Sequence, residues 1–576
     1  MRSGKSERLW LAAAFAIAAL VALPLCALLW TAAQGSEGLW SHLVAHVLPQ
    51  ATLNTLMLLA GVAAVTVPLG TVCAWLVTAY EFPGRRLFGW ALLLPLAVPT
   101  YIVAFAYLDL SHPLGPLQTA LRAMLGYDSP RDFRLPDLRS LPACIVLLGL
   151  VLYPYVYLTV RAMFAAQAAS LVEAARSLGV GGVALFVRVA LPLARPAIAV
   201  GAALVLLETL NDIGASEFLG VKTLTVAVYT TWVSRSDLPG AAQIALAMLT
   251  MVMLALALER HGRRRQRYAA GGRPRPLIAQ RLHGVRAVLA TAACALPILL
   301  GFVAPAAHLA VEAAARLRGD GISPQLWASV GNTLRIAALA TAVTLAAALV
   351  LVWAARLANA RRRGAAAAAA LRIGSLGYAL PGTVLAIALL ITAAGADRAL
   401  GMLSDGAPLL MGSLTLLVLA CTVRFLAIAT GGLEAGMARI PSSLDQAARG
   451  LGAGPGASLW RVHLPLLRPA MAAAAMLVFV DAMKELPVTL MLRPLNVDTL
   501  ATWLYAEAAR GTYEEGAVAA LLIVLAGLPA VVLLAMSGFG GRERIAAAPA
   551  LGTMADSATE RASADASDRT SPRRFR

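Results

Sequence analysis

Four carboxylates set within apolar sequence are the residues best placed to do chemistry. Glu208 and Asp212 lie four residues apart, so one face of a helix would carry both, and Asp481 and Glu485 repeat the pair at an offset of 273 residues. An acidic side chain at the centre of a membrane helix costs roughly 2.5 to 3.5 kcal/mol by insertion scales. Four of them at matching depth therefore argue for a watery interior surface, and they would line a pathway whose hard oxygen ligands suit a hard cation. The alternative is that they sit near helix ends, where Lys484 could pair with Asp481 and water relieves the cost. Both readings stay open, and no metal-ligand set is assigned. Other candidates carry less. His42 and His46 have helical i,i+4 spacing and read as an interfacial pair. Gly4-Lys5-Ser6 resembles the end of a phosphate loop but lacks the glycine five residues earlier. The five cysteines show neither CxxC nor Cys/His spacing, so no disulfide framework or zinc site is expected. With no HExxH, no GxSxG turn and no His/Asp/Glu cluster inside an apolar run, catalysis by this chain is not expected.

Side chains in such a setting can be positioned only by a chain that crosses a membrane repeatedly. Of 576 residues, 60% are hydrophobic and 14% charged, with a mean hydropathy of +0.75; an average soluble domain carries about 25% charged residues. An ordinary soluble enzyme is excluded. Apolar runs near 9–31, 52–79, 87–109, 141–160, 196–217 and 241–258, then 287–311, 330–353, 366–395, 409–423, 469–486 and 516–536, predict about twelve membrane helices and an all-α polytopic fold. The first run exceeds the core of a secretory signal and reads as a retained span. Between the sixth and seventh runs, residues 259–286 are dense in Arg, Gly and Pro, which permits no lipid-buried helix. This basic linker separates a first half (1–258) from a second (287–540); the polar segment 541–576 reads as a disordered tail. Loops on the side of the N-terminus hold 34 Lys and Arg against 11 on the other side. That asymmetry puts both termini in the cytoplasm. Under this reading the net charge of +18 reports orientation and attraction to anionic lipid, not a nucleic-acid partner.

The two halves share a repeat. Glu173–Ala197 (EAARSLGVGGVALFVRVALPLARPA) matches Gln446–Ala470 (QAARGLGAGPGASLWRVHLPLLRPA) without a gap, 15 of 25 pairs being identical. Asn54-Thr55-Leu56 and Asn332-Thr333-Leu334 match at the head of each second span. Duplication of a six-span unit is the economical explanation. Each long copy predicts a short helix with a small-residue face, a turn at Gly179 or Gly452 where positive φ is needed, and a second helix opening at Leu191-Pro192 or Leu464-Pro465. The product is a small knob of helix presented to the cytoplasm.

Glu173-Ala174-Ala175, Gly179, Val189 and Leu191-Pro192, repeated as Gln446-Ala447-Ala448, Gly452, Val462 and Leu464-Pro465, resemble the cytoplasmic signature loop of ABC importer permeases. The resemblance implies a type I importer permease fold of two six-helix halves. It also implies that these residues dock two copies of a separate ATPase subunit, which would bind ATP and Mg, while this chain binds no cofactor of its own. Gln446 departs from the family's glutamate, so the two docking sites would be unequal. Val480–Tyr505 and Glu208–Tyr229 are similar to segments of fused two-domain permeases for ferric iron. That similarity implies a bacterial inner-membrane importer subunit fed by a periplasmic substrate-binding protein, with thiamine or an organophosphonate as alternative cargo. A twelve-span secondary transporter would also show two parallel repeats, but it has no use for a repeated docking loop.

Overall fold

The computed structural model describes the chain apart from residues 1, 36–39, 168, 265–276, 278, 320, 360–363, 402–408 and 547–576. The middle of the predicted linker and most of the predicted tail thus lie outside the described residues. Residues 1–530 form one compact unit. The second unit, 531–576, is described only as the last part of the helix Tyr513–Ala546.

The described chain is almost wholly α-helical, as long runs of Leu, Ala and Val in lipid require, because a helix satisfies its own backbone groups. The first half contains α1 (Arg2–Gln34), α2 (Leu48–Ala79), α3 (Arg85–Ala91), α4 (Thr100–Leu110), α5 (Leu141–Gln167), α6 (Ala169–Ser177), α7 (Leu191–Asn211), α8 (Gly214–Phe218), α9 (Leu224–Val233) and α10 (Leu238–Arg264). The second half contains α11 (Val285–Ile298), α12 (Ala304–Gly319), α13 (Pro324–Asn359), α14 (Gly364–Gly374), α15 (Gly382–Gly401), α16 (Leu414–Ala438), α17 (Ser442–Gly450), α18 (Leu464–Met483), α19 (Pro487–Leu492), α20 (Leu500–Arg510) and α21 (Tyr513–Ala546). Among the described residues ten helical stretches are long and apolar enough to cross a membrane, or eleven if the bent pair Arg85–Ala97 and Thr100–Leu110 counts as one. The remaining expected span, 241–258, sixth in chain order, falls in α10, where the apolar stretch Leu238–Leu254 is shorter.

Several expected spans are broken. The run at 87–109 bends by 88° between Ala97 and Thr100, where Leu94–Ala97 forms a 3₁₀ turn and Val98 is extended ahead of Pro99. The run at 366–395 breaks in the same way: Ser375–Ala379 is a 3₁₀ turn and Leu380 is extended ahead of Pro381. A residue before proline is pushed out of the helical region, which ends the turn at both places. The fifth spans also break, at Asp212-Ile213 between α7 and α8 and at Lys484–Leu486 between α18 and α19. Within the predicted linker α10 continues helical to Arg264, and toward its other end β2 (Gln280–Arg281) pairs in parallel with β1 (Tyr80–Glu81).

Packing repeats between halves. α2 lies along α5 and α13 along α16, while α7 and α18 pack on the same partners, α5 and α16. The first helix of each half reaches across to the other half: α1 packs on α13, α14 and α15 as well as on α10 of its own half, and α11 and α12 pack on α2, α3 and α4. The Asn-Thr match has a structural cause. Asn54 Nδ2 donates to Lys222 O (3.1 Å) and Thr55 Oγ1 accepts from Leu224 N (3.0 Å), and Asn332 and Thr333 do the same with Asp498 O (3.1 Å) and Leu500 N (2.8 Å). The second span of each half thereby holds the start of α9 or α20.

The expected helix openings at Leu191-Pro192 and Leu464-Pro465 are corrected. Helix begins earlier, and the stretches Gly182–Asn211 and Pro455–Met483 each run on as one span. A π turn, Phe186–Ala190 or Leu459–His463, precedes each Leu-Pro, with Leu191 N bonding to Phe186 O and Leu464 N to Leu459 O. Proline inside a helix lacks an N–H and crowds the carbonyl four residues back; one turn of five-residue spacing accommodates both.

Candidate functional site

The four chain breaks converge on one cavity of about 140 Å³. Its walls are related by the repeat: Val151, Leu152 and Tyr155 of α5 face Arg424 and Phe425 of α16, Leu96 to Tyr101 face Tyr378, and Glu208 to Gly214 face Asp481 to Pro487. All four acidic residues singled out by spacing line it, together with the cations Arg424 and Lys484.

Each acid has a partner. Asp212, 7% exposed, accepts from Thr100 Oγ1 (2.6 Å) with one oxygen and from Ser216 N (2.8 Å) and Ser216 Oγ (2.9 Å) with the other. Glu485, 6% exposed, accepts from Val488 N at 3.0 Å, and its Oε2 lies 2.9 Å from Arg424 Nε, an ionic contact whose N–H is not aimed at the oxygen. Asn211 Oδ1 accepts from Gly382 N at 2.8 Å. The first N–H groups of a helix have no partner within it, and burial makes that costly. Asp212, Glu485 and Asn211 are therefore caps on α8, α19 and α15, which explains polar groups at these depths without a ligand. Glu208 and Asp481 do no such work. Glu208 Oε1 accepts from Tyr378 Oη (3.0 Å), across the halves, and Asp481 pairs with Lys484 at 2.9 Å, the pairing foreseen from the sequence. Tyr101 Oη, from the first half, donates to Lys484 O (3.3 Å).

Arg424 stands out electrostatically. It is buried, and its Nη1 makes no hydrogen bond among the described residues. A Cβ on Gly382 would come within 2.5 Å of that nitrogen, so only glycine lets the guanidinium sit against the N-terminus of α15. By the repeat offset Arg424 corresponds to Val151, and the cation exists on one wall only. Sequence reasoning missed Arg424, Tyr378, Tyr101, Thr100 and Asn211. Pro99 and Pro381-Gly382, inside apolar runs, were the available signal.

The repeated loops lie at the other ends of α7 and α18. Gly179 and Gly452 adopt φ +82° and +78°, the positive values expected. Gly179 N donates to Arg176 O and Val180 N to Ala175 O, and Gly452 N and Ala453 N repeat this with Arg449 O and Ala448 O, so α6 and α17 end in the same cap. Beside these glycines Leu178 and Leu451 are 83% and 87% exposed. Glu173, Ala174 and Ala175 on α6 and Gln446 and Ala447 on α17 are exposed or half-buried, whereas Ala448 is buried. Leu191, Pro192, Leu464 and Pro465 lie within the following helical runs, exposed or half-buried.

The two loops are anchored differently. Asp445 of α17 lies 2.7 Å from His463 Nε2, and its other oxygen accepts from Arg356 Nε at 2.9 Å; Arg356 also donates to Met437 O and Ile440 O. The repeat places Val172 and Ala190 where the second half has Asp445 and His463, and both are buried apolar residues. His42 and His46 are exposed and stack on one another.

The sequence model of a family described as "binding-protein-dependent transport system inner membrane component" matches residues 66–268 and again 351–542. The chain is 26% identical over 485 residues to the Fe(3+)-transport system permease protein FbpB 2 of Haemophilus influenzae, covering 83% of this chain and 88% of that one. It is 30% identical over 214 residues to the putative 2-aminoethylphosphonate transport system permease protein PhnU of Salmonella paratyphi A, covering 36% and 73%. To the molybdenum transport system permease protein ModB of Escherichia coli it is 26% identical over 228 residues, covering 38% and 96%.

Proposed function

The chain belongs to this family of binding-protein-dependent inner-membrane transport components, and from that premise we propose that it is the permease subunit of an ATP-driven importer of ferric iron. The observation that carries the cargo is length. The relative named for Fe(3+) transport aligns along 485 residues, both halves of the chain, whereas the phosphonate and molybdenum relatives align with about one half. As a family member the chain is a multi-pass inner-membrane transport subunit.

In this reading both termini are cytoplasmic, and the permease halves are 1–258 and 287–540. A periplasmic binding protein delivers cargo to the outer face, and two copies of a partner ATPase, which bind ATP and Mg, dock on α6 and α17 around Gly179 and Gly452. The exposed leucines 178 and 451 support that role: they lie in polar loops where lipid does not account for their exposure. From each loop a helical span reaches the cavity. The one ending at Asn211 has 30 residues, about 45 Å at 1.5 Å per residue, so a displaced loop moves the cavity wall. Glu208 and Asp481, which cap no helix, are the acids that line the pathway; Asp212 and Glu485 hold the breaks in shape.

A second reading, a phosphonate permease, has one observation in its favour. The unpartnered Nη1 of Arg424 beside the N-terminus of α15 is a donor pair suited to an oxyanion. Uptake separates the two. Cells carrying this chain with its ATPase and binding protein should accumulate labelled ferric iron and not labelled 2-aminoethylphosphonate. The reverse result replaces the cargo, and iron uptake that survives loss of the ATPase overturns the energising scheme.

A further inference from the structure

Asp109, His308 and Glu312 come together outside the lining of the cavity. Asp109 is the penultimate residue of α4; His308 and Glu312, one turn apart, share a face of α12. His308 Nε2 lies 2.8 Å from Asp109 Oδ2, with the histidine side chain 6% exposed. One potential ligand atom from each of the three residues falls within 4.8 Å of the others. Around an ion bonded at about 2.1 Å, three such atoms lie roughly 3 to 3.5 Å apart, so side-chain rotation alone would close the set. The backbone is held: Tyr107 Oη, one turn from the aspartate's helix end, donates to Leu300 O at 2.7 Å and ties α4 to the helical run that carries His308.

Position supports the chemistry. His308 is the twenty-fourth residue of the continuous helical span Val285–Gly319, roughly 35 Å from its start, beyond a hydrocarbon layer of about 30 Å. The cluster therefore sits at a membrane face, within reach of water, and a further acid, Glu514, is within electrostatic reach of Glu312, while its neighbour Glu515 pairs with Arg316 at 3.7 Å. The counterpart first helix, α1, has no acidic residue or histidine after Glu7. The site is thus not a by-product of the repeated frame.

We propose that Asp109, His308 and Glu312 bind a first-row transition-metal ion at the membrane face opposite the docking loops. One imidazole and two carboxylates form a mixed set suited to such ions rather than to calcium or magnesium, which take oxygens alone. The assignment stands apart from the cargo reading, since it concerns binding to the resting chain.

The test is titration of the purified full-length chain in detergent with Co²⁺, followed by its visible d–d absorption, without ATP or binding protein. The expected result is saturation near about one equivalent. Both Glu312→Gln and His308→Gln should weaken binding at least about tenfold, while Glu434→Gln, at an exposed carboxylate of α16 outside both the cavity and this cluster, leaves it unchanged. Glu312→Gln keeps the contact between His308 and Asp109, so its loss of binding cannot be laid to misfolding. Absence of saturable binding in the natural sequence, or equal binding by both site variants, overturns the proposal. Failure of iron uptake with Co²⁺ binding intact overturns only the cargo.

Discussion

Arg424→Met tests whether the broken helices are held by charge. Arg424 and Glu485 are both buried, 2.9 Å apart, and the glutamate accepts a hydrogen bond from Val488 N. Removing the cation leaves a buried carboxylate with one backbone donor, and breaking such a pair from one side costs about 3 to 5 kcal/mol. At about 1.4 kcal/mol per decade, that lowers the folding equilibrium constant by two to nearly four orders of magnitude. Arg424→Met combined with Glu485→Gln removes both charges and should recover most of the loss, because an amide at position 485 still accepts from Val488. The assay is reversible unfolding in mixed detergent micelles, read for the natural sequence, both single variants and the double. If Arg424→Met falls within about 1 kcal/mol of the natural sequence, or the double variant is no better than Arg424→Met, the pair is not what holds α16 to the break before α19. That magnitude would then be typical of a solvated surface pair.

Gly179→Val and Gly452→Val each force a β-branched residue into positive φ, at about 1 to 3 kcal/mol of local strain. Each should abolish co-purification of the ATPase while membrane insertion holds, and unchanged co-purification would count against the docking role. Glu208→Gln and Asp212→Asn should separate by kind: the first lowers transport while the purified protein unfolds as before, and the second lowers stability by about 1 to 3 kcal/mol because it disturbs the cap on α8. Equal effects on stability would remove the distinction between pathway acids and capping acids.

Hydropathy revealed the membrane runs because lipid demands apolar length. The gap-free match from Glu173 to Ala197 with its second copy revealed the duplication and, through Gly179 and Gly452, the two left-handed caps found in the structure. The Lys484–Asp481 pair was legible because its members lie three positions apart in the chain, at helical i,i+3 spacing. The breaks were not. Apolar residues on either side of Val98-Pro99 and Leu380-Pro381 keep the hydropathy high, so one run conceals two half-helices and a turn. Nor could sequence show why Asp212 and Glu485 are acids, since the N–H groups they cap exist only once the chain has broken. Asp109 and His308 are 199 residues apart, and only the crossing of α12 onto the first half brings them together.

The single guanidinium on one wall of the cavity has a consequence for the joining of the halves in one polypeptide. Two identical subunits around an axis could never place Arg424 on one side and Val151 on the other; that one position would be arginine on both walls or on neither. Covalent linkage frees the opposing surfaces to diverge, so the cavity between them holds a lopsided electric field that no symmetric dimer could produce.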